Sequence, residues 1–168
     1  MCIKSLGLLL SALCVIMAVV RQAPPPGWRK IDADGLFSFS LPEGFTKTDM
    51  AGVENYLGEY YKGETRFIFI WGDTASLAYS ERRQPEMQDY QELTTRLKGK
   101  RVNIRTYRTS GEGRRVYHGE LNVGNWERGQ VTLFMGLEGS DPKTLETARR
   151  IFGSVEFPIP DPERPPGR

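Results

Sequence analysis

Glu86-Met87-Gln88-Asp89-Tyr90-Gln91-Glu92-Leu93-Thr94-Thr95-Arg96-Leu97-Lys98 is the stretch on which the architecture of this chain turns. Met87, Tyr90, Leu93 or Thr94, and Leu97 recur at the three- and four-residue intervals that line one face of a helix. Pro85 stands near its start and Gly99 just past its end, where helices commonly begin and stop. The spacing predicts a helix over 86–98.

Outward from it, the period falls to two. Upstream, Trp28–Ile31 reads as a short strand closed by the turn Ala33-Asp34-Gly35. Leu36–Leu41 alternates, with Phe37, Phe39 and Leu41 on one face and Ser38 and Ser40 on the other, as a half-buried strand does. Pro42-Glu43-Gly44 fits a tight turn. Val53–Lys62 is aromatic-rich and strand-like. Thr65–Trp71 contains Phe67-Ile68-Phe69-Ile70-Trp71, apolar on both faces, which predicts a central strand covered on both sides.

Downstream, strands are expected over 101–109, 114–123 and 130–138, the first two joined by Ser110-Gly111-Glu112-Gly113. Ser140-Asp141-Pro142 opens a last helix whose apolar stripe is Leu145, Ala148, Ile151 and Phe152, with Gly153 at its end. Val155–Phe157 is a final short strand. The fold class expected is α+β: a single antiparallel β-sheet with helices on both faces, an α/β/α sandwich.

A chain of 168 residues points to one domain. Hydrophobic content of 39% and charged content of 26% exclude global disorder. Setting aside Lys4 and Arg21 leaves 21 of the 23 basic residues against 21 acidic ones. That balance argues against nucleic acid as a partner, since such binding needs uncompensated Lys and Arg.

Leu6–Val20 is an uninterrupted apolar run preceded by Lys4. At about 1.5 Å per residue it spans roughly 22 Å, short of the ~30 Å hydrocarbon core, as a signal-peptide core does. Ordinary secretion, a retained anchor and lipidation at Cys14 all remain open, although Leu13 directly before Cys14 is too bulky for the usual lipobox. The organisation expected is therefore a leader or anchor over 1–22, a Pro-rich linker over 23–27, a domain over 28–157 and a flexible tail over 158–168. Both cysteines, Cys2 and Cys14, lie in the leader, which leaves the domain without thiol chemistry or disulfides. With His118 as its single histidine, a His-rich metal site is nearly impossible to build.

Two segments carry a family resemblance. Phe37-Ser38-Phe39-Ser40-Leu41-Pro42-Glu43-Gly44-Phe45 resembles the opening strand and turn of the PsbP-like superfamily. Ala148-Arg149-Arg150-Ile151-Phe152-Gly153-Ser154-Val155-Glu156-Phe157 is similar to that superfamily's last helix and strand. Its members include extrinsic photosystem subunits, a nuclear-transport cofactor and bacterial exported proteins or lipoproteins. The resemblance covers about 28–157 and implies an α/β/α sandwich that acts by binding. It transfers no functional residue.

Three groups of residues are candidates for a site. If the hairpin closes with Thr109 opposite Arg114, Arg105 faces His118 and Asn103 faces Glu120. Arg101, Asn103, Arg105 and Tyr107 then share a face with Val116, His118 and Glu120, a constellation able to hold an anion or to be a solvated sheet face. The basic run Lys98, Lys100, Arg101, Arg105, Arg108, Arg114 and Arg115 is either a docking patch or a charged edge that deters aggregation. Trp126, at a Gly-rich hairpin tip, and Tyr56, Tyr60 and Tyr61 either anchor a partner or fold back on the sheet. Together these predict a non-catalytic binding or scaffolding module outside the cytoplasm, without cofactor or metal. Its partner is expected to be a protein or an anionic membrane surface. The rival is an enzyme or small-ligand carrier using the polar face around His118.

Overall fold

Trp28–Ala33 (β1) and Phe37–Pro42 (β2) form a two-stranded antiparallel hairpin, with Ala33 opposite Phe37 and Trp28 opposite Pro42. In the computed structural model the described residues are 26–48, 56–72, 75, 86–111, 113–125 and 130–158. The apolar run 6–20, Trp126 and the tail beyond Pro158 lie outside them, as does the side chain of Tyr56. Asp34 and Gly35 both take positive φ, 49° and 73°, which gives the hairpin turn the twist its strands need.

The larger sheet has seven strands in the order β3-β4-β5-β9-β8-β7-β6, every neighbouring pair antiparallel. These are Thr46–Lys47 (β3), Tyr56–Lys62 (β4), Thr65–Trp71 (β5), Gln88–Leu97 (β6), Lys100–Gly111 (β7), Arg114–Asn125 (β8) and Gln130–Gly139 (β9). Two meanders, β3–β5 and β6–β9, are sewn together where β5 lies against β9. Thr144–Gly153 (α1) is the single helix among the described residues.

One face of the sheet carries the main core. Phe37, Phe39 and Leu41 of β2 pack on it, with Phe39 in ring contact with Tyr60, Phe67 and Phe69. Beside the hairpin, Ala148, Ile151 and Phe152 of α1 close over β8 and β9. Gly119 makes that approach possible: a Cβ there would stand 2.5 Å from the Ala148 Cβ. The two segments that carry the family resemblance meet, since Ser38 and Glu156 exchange backbone hydrogen bonds of 2.8 and 2.7 Å. On the opposite face Val131, Phe134 and Ala75 form a smaller cluster with Ile68 and Ile70. As expected, Thr65–Trp71 is an interior strand with apolar contacts on both sides.

The α/β/α sandwich is not what forms. Residues 88–97 are an edge strand, paired with β7 from Gln88–Arg108 to Leu97–Lys100 with a bulge between Gln88 and Gln91. The described residues are mostly β, with a small second sheet and one helix covering the core face. Gly99 explains the misdirection. It does hold a positive φ of 81°, but as the second residue of the Lys98-Gly99 hairpin turn, with Lys98 at 50°. A helix end and a tight hairpin make the same demand of glycine. The helical spacing of Met87, Tyr90 and Leu97 was outweighed by strand pairing, to which Thr94 and Thr95 are suited.

Candidate functional site: a polar belt across the sheet

Along β7 and β8 the alternation of side chains places 101, 103, 105, 107 and 109 on the face opposite the main core, together with 116, 118, 120 and 122. The grouping expected from the sequence is correct and the register is not. Gly111 pairs with Arg114, so Arg105 stands opposite Glu120, Tyr107 opposite His118 and Asn103 opposite Asn122. The shift is two residues, because the strands stay paired as far as Gly111 and Arg114. A shift of two keeps every side chain on its face.

Arg105 is 2% exposed, which makes its charge the controlling feature of the site. A buried guanidinium is tolerable only when paired and hydrogen-bonded. Its Nη2 donates to Glu120 Oε2 at 2.6 Å, and Tyr107 donates from its hydroxyl to Glu120 Oε1 at 2.7 Å. Both carboxylate oxygens of Glu120 are thus engaged. Burial, then the charge of Glu120, push the Tyr107 phenol well above its usual value and keep it a donor. Toward the edge, Asn103 Nδ2 donates to Glu92 Oε1 and the Tyr90 hydroxyl to Glu92 Oε2 at 2.7 Å. Burial and that bond push Tyr90 up to about 12, with Arg105 pulling the other way.

Across β8 the belt continues through His118. Its ring stacks on Tyr107 with centroids 4.7 Å apart, and its Nε2 lies 2.9 Å from Thr109 Oγ1. Glu138 Oε2 is 3.7 Å from Nδ1, beyond hydrogen-bond reach. Burial pushes the imidazole below its usual value, while Glu138 and Glu120 pull it back up. Glu138 in turn meets Arg66 at 3.5 Å, and Arg66 pairs with the buried Glu59, which also accepts from Tyr61. The sequence pointed to Arg105, Tyr107, His118 and Glu120. Glu92, Thr109, Glu138, Arg66 and Glu59 join them only through strand order.

A general base must reach a substrate proton. His118 instead has one nitrogen on Thr109 and one face on Tyr107, and Glu120 is held by two donors. This arrangement clamps strands together. Asn122 stands apart: it is fully buried, and neither its carboxamide nitrogen nor its oxygen has a hydrogen-bond partner among the described residues. Among the described residues no group of three His, Cys, Asp or Glu side chains is placed to hold a metal.

The basic run does not assemble into one patch. Arg108 is 3.0 Å from Asp89 and Lys98 is 3.5 Å from Glu156. Lys100 sits 5.1 Å over the Phe157 ring. Arg114 is 75% exposed, with Glu64 3.5 Å away. Arg101 and Arg115 are exposed, on opposite faces of their ladder. Tyr60 folds into the core, and Tyr61 is partly exposed. An open cleft of about 230 Å³ lies between the hairpin and residues 156–158, lined by Lys30, Asp32, Phe37, Ser38, Glu156 and Phe157 among others.

No family model matches the chain. No curated protein matches it either. A crystal structure from Bacteroides thetaiotaomicron aligns over 80% of this chain at 10% identity, with a TM-score of 0.53. This chain spans 50% of that protein's length, and the likeness is one of fold alone. LpqN of Mycobacterium tuberculosis, a protein involved in cell envelope biogenesis, aligns over 78% of both chains at 12% identity and a TM-score of 0.35. A likeness that low carries no argument about this chain. No helix among the described residues is long and apolar enough to cross a membrane.

Proposed function

We propose that this chain is a non-catalytic binding or scaffolding module, exported by its N-terminal segment and acting on a protein partner in an extracytoplasmic complex. The observation that carries the reading is the closure of the polar belt. Glu120 and His118, the groups best suited to acid–base work, are bonded to Arg105, Tyr107 and Thr109 rather than turned toward a cleft. Export is supported by the apolar run 6–20 followed by Arg21 and Pro24-Pro25-Pro26. A protein partner is favoured over an anionic membrane surface because Lys98, Arg105, Arg108 and Arg114 have acidic neighbours of their own.

Alkaline phosphatase fused after Pro158 tests the compartment, since the enzyme is active only after export. Strong activity is expected, and an inactive fusion at normal expression overturns the placement. Crosslinking the full chain in its native cells and identifying the adducts tests the binding role. Extracytoplasmic proteins should be recovered reproducibly; adducts drawn only from the cytoplasm, or none, would count against it.

A further inference from the structure

Among the described residues strand β6 is the free edge of the seven-stranded sheet, and its outer residues Gln91, Glu92, Leu93, Thr94 and Arg96 are exposed. Long edges are normally blunted by proline, a bulge or a covering loop, because their unpaired backbone groups template another strand. Here the bulge between Gln88 and Gln91, with Asp89 at a φ of 52°, spoils one end only. From Gln91 to Leu97 the ladder to β7 is regular, and the Lys98-Gly99 turn then ends it. That regular segment is seven residues long and centred on Thr94.

We propose that two copies of this chain associate through β6, antiparallel, about a twofold axis at Thr94. A twofold perpendicular to the sheet keeps the faces aligned and pairs each residue with its mirror about Thr94. Glu92 then faces Arg96 of the second copy, and Arg96 faces the second Glu92. Opposite charges directly across strands attract and like charges repel, so this register is self-complementary. On the core face Leu93, 58% exposed in the single chain, comes opposite the second Thr95 and diagonal to the second Leu97. The association buries the most exposed large apolar side chain among the described residues. It also closes on itself. The other edge, β3, is two residues long, too short to extend the ladder into a fibre.

The test uses the full chain in mild detergent, with Cys2 and Cys14 replaced by Ser. Thr94→Cys lies on the axis and should form a disulfide-linked homodimer on mild oxidation. Ser110→Cys, at the far end of β7, should not. Sedimentation should show Arg96→Glu weakening association by roughly tenfold, since it turns two attractive pairs repulsive while the Glu92 bonds to Asn103 and Tyr90 stay in place. A chain that stays monomeric at all concentrations, with Thr94→Cys no more reactive than Ser110→Cys, overturns the proposal. So does a Thr94→Cys adduct formed in cells solely with a different protein.

Discussion

At the scale of single residues, Arg105 sets the terms. Nothing in its neighbourhood in sequence announces burial, since Arg101, Arg108, Arg114 and Arg115 are exposed or half-exposed on the same two strands. Its partner Glu120 makes burial tolerable. Glu120→Ala should therefore cost about 3–5 kcal/mol in chemical denaturation, because it strands a charge in the interior. Replacing both, as Arg105→Met with Glu120→Leu, should recover most of that loss. A single substitution that costs under ~1 kcal/mol would mean that solvent reaches the guanidinium. His118 gives a dependence on pH. Its folded pKa lies below the ordinary 6.5, so the unfolded chain takes up the proton first. Its contribution to stability is intact above about 6.5 and falls as the pH drops from there toward the folded value. His118→Gln should flatten the stability curve in that window and leave its slope unchanged above, where it lowers stability uniformly by the lost stacking on Tyr107 and bond to Thr109. Parallel melts at pH 7.5 and 5.5 measure the difference.

At the scale of elements, what the sequence shows depends on whether a signal belongs to one structure or to two. Alternation along 101–109 and 114–123 belongs to strands alone, and the face shared by Asn103, Arg105, Tyr107, His118 and Glu120 could be read from it. Register could not, because Ser110-Gly111-Glu112-Gly113 allows a four-residue loop or a tight turn two residues shorter. Gly99 and the 86–98 periodicity served helix and hairpin equally. The α1 reading survived because its stripe has no strand counterpart, although the helix begins at Thr144 with no side-chain cap and Gly153 lies within it. That helix also yields a sharp test through the strand beneath it. Gly119→Val would drive a branched side chain into Ala148 and Phe152, and should destabilise the fold by about 1–3 kcal/mol. Gly63→Ala, where no atom lies within 4 Å but φ is +57°, offers a control that strains the backbone without touching α1. Equal losses from the two would show that α1 can shift to accommodate the branch.

At the scale of the molecule, the decisive pairing is β5 with β9. Arg66 and Glu138 stand opposite each other although 72 residues separate them. Closing a loop of that length before its contacts form makes folding slow, in the range of milliseconds to seconds for such β topologies. Refolding from urea, followed by the fluorescence of Trp28 and Trp71, should show that phase. Completion in microseconds would mean the two meanders fold without waiting for each other. Neither Glu92 nor Glu138 could be assigned to the belt from the sequence, because strand order across a sheet is a property of the whole chain.

The same seam has a consequence for how the protein is made. β9 is the last of the described strands to leave the ribosome, and until it does β5 presents Phe67, Ile68, Phe69, Ile70 and Trp71 along an open margin. A nascent chain stopped short of residue 130 carries a sticky half-sheet whose β5 margin has no other partner among the described strands. On the proposed export route this delay is useful: it holds the polypeptide loose enough to be threaded through a translocation pore, and locks the sheet only after β9 has followed.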